Sequence, residues 1–242
     1  MKIEVLFPEV CNLYGDLFNI KYLKECLPET EVINTSLKDE PLFVKETPDL
    51  IYMGTTTERG QVLAIEALSK YKDQIKKAID EGVAFLVTGN AVEIFCKTIY
   101  EEGEKVAEGL GIFDFETKRK ARKRYNSLYL GEFSDGVEAI KIVGFKSLFG
   151  YVYGDNKDKA LFITERGDGF NPEIKEEGIR VNNFFATQIT GPLFVLNPLF
   201  TKWFMKNIFK IENPVLAHEE AAIDSYMDRV AEYSSPKTGI YY

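Results

Sequence analysis

The sequence predicts an α/β layered fold: a largely parallel sheet covered by helices on both faces, with β-hairpins added in the second half. Three observations carry this. Two short, wholly apolar runs, LIYM at Leu50–Met53 and VAFLV at Val83–Val87, read as strands buried on both faces. Segments with helical periodicity lie between such strands, which is the order of βα units feeding a parallel sheet. Past residue 115 the pattern changes to short β-like stretches divided by glycine-bearing turns.

Each element has its own signal. KIEVLF at Lys2–Phe7 is rich in β-formers and is ended by Pro8. Leu17, Ile20, Leu23 and Leu27 recur at helical spacing, and Pro28 stops that helix. Glu31–Thr35 alternates and reads as a second strand, followed by a charged loop over Lys38–Pro48. LIYM runs into the small polar stretch Gly54-Thr55-Thr56-Thr57. Glu58–Glu81 is expected to be one long amphipathic helix with Val62, Ile65, Leu68, Ile75 and Ile79 on one face and Gly82 as its C-cap. After VAFLV the chain turns at Thr88-Gly89-Asn90 into a helix carrying Cys96. Leu128–Phe133, Ala139–Phe145, Tyr151–Tyr153 and Ala160–Thr164 are β-like, and Glu177–Ile189 holds a further strand. Pro198–Phe209 is a helix with proline in its first turn. Pro214–Tyr233 is the last helix, and residues 234–242 are expected to be a loose tail. With no Gly-, Ser- or Pro-rich linker and no repeat, a single domain over residues 1–242 is expected.

Composition narrows the function. Thirty basic against 38 acidic side chains give a net charge of -8, and such an acidic chain lacks the basic footprint of a general nucleic-acid binder. Cys11, Cys26 and Cys96 are scattered without a CxxC spacing, so they read as reduced thiols of a cytoplasmic protein, not as a disulfide framework or a zinc site. One histidine cannot build an ordinary zinc centre, and Asp155, Asp158, Glu165 and Asp168 read as solvated loop carboxylates; no metal or cofactor is expected. The N-terminus, with Glu4 and Pro8, lacks the apolar stretch of a signal peptide, and no apolar run approaches the roughly 18 residues of a membrane helix. Within this acidic chain, six of the seven positions Lys118–Arg124 are cationic. That run is read first as a solvated face, and otherwise as a patch for phosphate, nucleic acid or an acidic partner.

Ligands of open α/β sheets bind beyond the carboxyl ends of the parallel strands. Two strand ends stand out: Gly54 and Thr55 after LIYM, and Gly89, Asn90 and Glu93 after VAFLV. Small residues and free N–H groups at a helix start can hold an oxyanion or carboxylate. A tight βα turn favours the same residues for structural reasons alone, and both readings stand at this point.

At these turns the sequence resembles a known family. Asn12-Leu13-Tyr14-Gly15-Asp16, the Gly54 turn, Thr88-Gly89-Asn90-Ala91, Ile142-Val143-Gly144-Phe145, Gly167-Asp168-Gly169 with Glu177-Gly178, and Ala186–Leu193 follow one another as in class I glutamine amidotransferases of the cobyric acid synthase type. The opening NLYGD is similar to that of the amidotransferase subunits of lipid II isoglutaminyl synthase, and the resemblance runs from about Asn12 to Phe204. It implies a flavodoxin-like class I amidotransferase fold and a Cys–His pair, the cysteine at the turn after the central strand. Here both catalytic positions are threonine, Thr88 and Thr190. A threonine hydroxyl without a neighbouring base is a poor nucleophile near neutral pH. The resemblance therefore implies a relative without the hydrolytic pair, the two threonines facing one cleft across a gap too wide for a direct bond. It further implies a retained pocket for a small anionic or amide ligand, lined by Gly54, Thr55, Gly89, Asn90 and Glu93, with Arg124 as the nearest match to the family's carboxylate-binding basic residue. The partner it implies is a Mur-ligase-like ATP-dependent synthetase in cell-wall or cofactor biosynthesis. An amidotransferase or amidohydrolase with non-standard residues in the same cleft is the alternative, and a phospho-ligand or nucleic-acid adaptor acting through residues 118–124 is the second. Cys96 and His218 are a poor replacement dyad, because Cys96 reads as a small buried hydrophobe and His218 as a C-terminal helix residue.

Overall fold

In the computed structural model, which describes all 242 residues, the first half alternates strand and helix. Its elements are β1 (Lys2–Leu6), α1 (Phe18–Cys26), β2 (Glu31–Thr35), β3 (Leu50–Met53), α2 (Glu58–Ser69), α3 (Lys72–Asp80) and β4 (Phe85–Thr88). The middle is β-rich: β5 (Thr98–Glu101), β6 (Glu104–Glu108), β7 (Glu116–Arg119), β8 (Tyr125–Ser134), β9 (Ala139–Leu148), β10 (Gly150–Tyr153), β11 (Phe162–Arg166), β12 (Glu176–Glu177), β13 (Ile179–Val181) and β14 (Phe184–Thr187). Three helices follow, α4 (Leu193–Leu196), α5 (Pro198–Asn207) and α6 (Glu219–Ser234).

The main sheet has the order β13-β14-β4-β3-β1-β2. β14, β4, β3, β1 and β2 are all parallel, and β13 is an antiparallel edge. Alternation along the central strands divides the core into two layers. Ile51, Met53, Phe85 and Val87 pack with Ala64 and Leu68 of α2 and Ile75 and Ile79 of α3. Leu50, Tyr52, Ala84 and Leu86 pack on the other face with Ile20 and Leu23 of α1 and with Phe194, Phe200 and Phe204 of α4 and α5. The strands read as two-sided from their apolar runs are thus buried on both faces.

Two smaller four-stranded sheets flank this one. The first has the order β10-β7-β5-β6, and the second, β12-β11-β8-β9, is built on the long β8–β9 hairpin. Strands β5 to β7 are absent from the sequence reading. Their residues, such as EKVAE and ETKR, are too charged to give a hydrophobic period. The one local signal is Glu102-Gly103, a two-residue turn with φ +49° and +90° that closes the β5–β6 hairpin.

Five further expectations are corrected. The single long helix of Glu58–Glu81 is two, broken at Tyr71 (φ −109°, ψ 13°), whose buried ring lies edge-on to Phe43 at 6.2 Å. Val62, assigned to the buried face, is exposed. The turn after β4 is a 3-10 segment, Gly89–Phe95, with Cys96 at its end, not an α-helix. The tail expected to be loose docks on the body: Ile240 is buried and accepts from the Leu128 N–H (2.8 Å), and the Tyr241 hydroxyl donates to Asp168 (2.8 Å). Residues 214–218, expected within the last helix, precede α6. No helix is long and apolar enough to cross a membrane.

Candidate functional site

Three loops converge at the carboxyl ends of β1, β3 and β4, and Asp16 is where they meet. Its carboxyl is fully buried; Oδ2 accepts from the Thr55 N–H (2.6 Å), the Thr55 hydroxyl and the Thr88 hydroxyl (2.9 Å), while Oδ1 has no partner. Burial pushes its pKa up to about 6, and the Thr55 and Thr88 hydrogen bonds, with the Gly191 N–H near the carboxyl but outside hydrogen-bond geometry, hold back a larger rise. The Tyr52 hydroxyl donates to the Asp16 carbonyl (2.8 Å) and lies 3.2 Å from the Thr88 hydroxyl.

Close packing explains the small residues here. A Cβ on Gly54 would lie 2.8 Å from the Cys11 carbonyl, and one on Gly89 would fall on the Thr55 hydroxyl. Gly89 also sits at φ +61°, where a side chain is strained. Asn90 joins the two strand-end turns: its Oδ1 accepts from the Thr56 N–H (3.0 Å) and its Nδ2 donates to the Thr56 carbonyl (2.8 Å). Thr57 caps α2 by accepting from the Gly60 N–H (3.0 Å).

Thr88 and Thr190 are both fully buried. Their turns touch one residue away from each, through the Gly89 N–H and the Ile189 carbonyl (3.1 Å). The hydroxyls point to different partners. Thr88 is bound to Asp16, and Thr190 donates to the Phe145 carbonyl (3.1 Å). The two threonines therefore do not face one cleft as expected: the nearby cavity of about 100 Å3 is lined by Tyr14, Thr55, Asn90, Glu93, Arg119 and Arg124, among others, and by neither threonine. Four of the sequence-derived ligand residues, Thr55, Asn90, Glu93 and Arg124, thus share one cavity wall, whereas Gly54 and Gly89 lie in the packed backbone outside its lining. The Arg124 guanidinium donates to the Tyr14 hydroxyl (3.1 Å) and stacks over Phe149 (4.6 Å).

Glu93 is not a free carboxylate. It pairs with Arg119 at 2.5 Å, both side chains buried, and the Arg119 Nε donates to the same oxygen at 2.9 Å. Gln61 joins them, receiving from Arg119 and donating to Glu93 (3.2 Å) and to the Asn90 carbonyl (2.5 Å). Asp16, Tyr52, Gln61 and Arg119 are absent from the sequence-derived site. Asp16 stands inside the NLYGD segment, and Arg119 inside the basic run read as a solvated face; the strand period of two at the start of that run turns Arg119 inward and Lys118 outward, and the later cations stay exposed.

Elsewhere the reactive groups are inert or apart. Burial pushes the Cys96 thiol far up and the Cys11 thiol up to about 12. Cys96 lies in the core layer beneath α2, and His218 is exposed at φ +52° just before α6, so the two form no pair. Asp168 accepts from Tyr151 and Tyr241, Glu165 pairs with Lys141, and no three His, Cys, Asp or Glu side chains converge as a metal site would require.

The comparisons with known proteins agree with this architecture. The profile of the CobB/CobQ-like glutamine amidotransferase domain matches residues 2–196. The GatD subunit of the glutamine-hydrolysing lipid II isoglutaminyl synthase of Staphylococcus aureus (strain N315) is 28% identical over 197 residues, covering 81% of this chain and 79% of the relative. The corresponding subunit of Streptococcus pneumoniae (strain ATCC BAA-255 / R6) is 26% identical over 204 residues, with coverage of 81% and 76%. Among solved structures, PurLQS from Thermotoga maritima superposes with a TM-score of 0.54 at 14% identity, covering 86% of this chain and 95% of that one. A Thermotoga maritima glutamine amidotransferase gives 0.52 at 9% identity, with coverage of 96% and 94%. The structures speak for the fold; with four-fifths of the sequence inside one family's profile, the chain belongs to the CobB/CobQ-like glutamine amidotransferase family.

Proposed function

We propose that this chain is an amidotransferase-family subunit that does not hydrolyse glutamine. In this reading it holds a small anionic or amide ligand in the Tyr14–Arg124 cavity and works beside an ATP-dependent ligase or synthetase of the Mur-ligase type. One observation carries the first part: the side chain ending β4 is the Thr88 hydroxyl, fully buried and committed to Asp16. Acyl transfer needs a nucleophile that a substrate carbonyl can approach, with a base in hydrogen-bond reach. Thr88 offers no such approach, Thr190 is no base, and the three thiols are raised above their ordinary pKa, Cys11 and Cys96 strongly. Asp16 touches the Thr88 hydroxyl as a base would, so an amidohydrolase with changed chemistry is the second reading. Burial of both groups disfavours it.

The ligand class rests on Arg124, an exposed cation at the cavity mouth that suits a carboxylate. The partner rests on the relatives, which are named as one subunit of a glutamine-hydrolysing synthase acting on lipid II. The reaction served would then belong to cell-wall or cofactor biosynthesis. The cytoplasm, where ATP and reduced thiols coexist, is the compartment this needs.

The test is direct. With excess glutamine the purified chain should release no ammonia above buffer, and a glutamine-like diazoketone should leave its intact mass unchanged. Arg124→Ala should weaken glutamine binding about tenfold, the scale of one lost charge-assisted contact. Sustained ammonia release or a single-site adduct on the natural sequence would overturn the silent-subunit reading.

A further inference from the structure

The basic run has a second face. β7 lies between β10 and β5 with Tyr151, Lys118 and Tyr100 in register, so these three side chains form one row across three neighbouring strands. Tyr153 and Glu116, two positions along their strands, form the next row on the same side. On the opposite side Thr117, Arg119 and Val152 enter the core. On this outer side Lys118 is exposed, Tyr100 and Tyr153 are half-buried, and Tyr151 is buried. Lys118 lies over the Tyr153 ring at 4.7 Å. Tyr125 packs on Tyr151 with ring centres 4.5 Å apart, and Lys123 stands over Tyr125 at 5.0 Å.

A cavity of about 470 Å3 sits on this face, bordered also by Glu102 and Lys120. A second, of about 410 Å3, continues beyond the Tyr125–Tyr151 pair, which lines both. These volumes fall in the range of small-molecule sites. The lining restricts the ligand's chemistry. An apolar molecule would leave Lys118 and Lys120 without a role. Inorganic phosphate would use the ammonium groups but not the rings, and would meet Glu102 and Glu116. A nucleoside phosphate uses all three features: the base stacks on a tyrosine, the phosphate takes the lysines, and ribose hydroxyls or an exocyclic amine donate to the carboxylates.

We propose that the outer face of the β10-β7-β5 sheet is a nucleoside-phosphate site, with Tyr100 and Tyr153 as stacking surfaces and Lys118 and Lys120 as phosphate ligands. The cavity includes no residue of the Thr88 turn and shares only Arg119 with the Tyr14–Arg124 cavity, and the proposal stands whether or not the protein hydrolyses glutamine.

Calorimetric titration of the full chain with ADP, adenosine and inorganic pyrophosphate tests it. ADP should bind at least about tenfold more tightly than either fragment, because a stacked base and a paired phosphate each contribute about a factor of ten or more. Lys118→Glu and Tyr153→Ala should each weaken ADP about tenfold, and Lys120→Glu, at an exposed position, serves the same purpose should the first variant fold poorly. Saturation-transfer signals should appear on the adenine protons of bound ADP and disappear in Tyr153→Ala. Three results would overturn the assignment: no ADP binding, pyrophosphate binding as tightly as ADP, or a single-stranded oligonucleotide that binds with a steep salt dependence and that ADP does not displace.

Discussion

A carboxyl with hydrogen bonds crowded on one oxygen and none on the other is held at Asp16 against the preference of a charge for water. Its pKa, raised by burial from an ordinary 3.8 to about 6, makes this a statement about stability. The folded protein binds the proton more tightly than the unfolded chain does. The stabilising contribution is complete below about pH 3.8 and is lost as the pH rises through 6, where the ionised group costs about 3 kcal/mol. Asp16→Asn keeps the shape, lets an amide oxygen accept from Thr55 and Thr88, and removes the titration. It should therefore be more stable than the natural protein at pH 8, by up to about 3 kcal/mol, with the advantage shrinking as the pH falls from 7 to 4. Glu4, raised in the same direction by burial, is common to both proteins and cancels in the difference. Urea unfolding midpoints across that range measure it; a gap that stays constant with pH would contradict the assignment. The sequence makes Asp16 visible only as part of a motif. Its burial follows from the β1–α1 loop folding onto the ends of β3 and β4, a contact across more than 35 positions that no local pattern encodes.

At the scale of elements, β7 shows how a charge run can mislead. Read as composition, Lys118–Arg124 is a solvated face; read as a strand, its start must alternate, and Arg119 turns inward to the Glu93 carboxylate while Lys118 turns out. The pair ties the small β10-β7-β5-β6 sheet to the turn after β4. Arg119→Ala strands a buried carboxylate and should cost about 3–5 kcal/mol in chemical denaturation, whereas R119M/E93L, which removes both charges at similar volume, should recover most of that loss. A double variant that loses as much stability as Arg119→Ala would contradict this account of the pair. The helices taught a related lesson. Glu58–Glu81 has an unbroken helical period, yet α2 and α3 part at Tyr71 so that its ring can pack against Phe43. No glycine or proline marks that break, because its cause is a tertiary contact. The parallel strands, by contrast, were legible because an apolar run of four or five residues has few other uses.

At the scale of the molecule, the end of the chain closes the β8–β9 side of the fold. SSPKTG has a loop's composition, and only Ile240 and Tyr241 distinguish the tail from a free one, which is too little signal for a sequence reading. Its attachment is nonetheless varied. Ile240 is 8% exposed, Tyr241 bridges to Ser127 in the pattern of an added strand, and Arg166 donates to the Tyr233, Ser235 and Thr238 carbonyls. Removing residues 236–242 exposes the Ile240 contact surface, worth about 1.5–3 kcal/mol, and leaves the Leu128 N–H and one face of Arg166 without acceptors. A loss of about 3 kcal/mol follows, which for a chain of this size lowers the melting temperature by roughly 6–12 °C. Ile240→Ser should reproduce much of the drop, while removing the exposed Tyr242 alone should change little. Far-UV dichroism should hardly alter, since no strand of the main sheet pairs with the tail. Calorimetric melting of the three variants decides the matter: if the truncated chain melts with the natural one, the tail lies on the surface without holding it together.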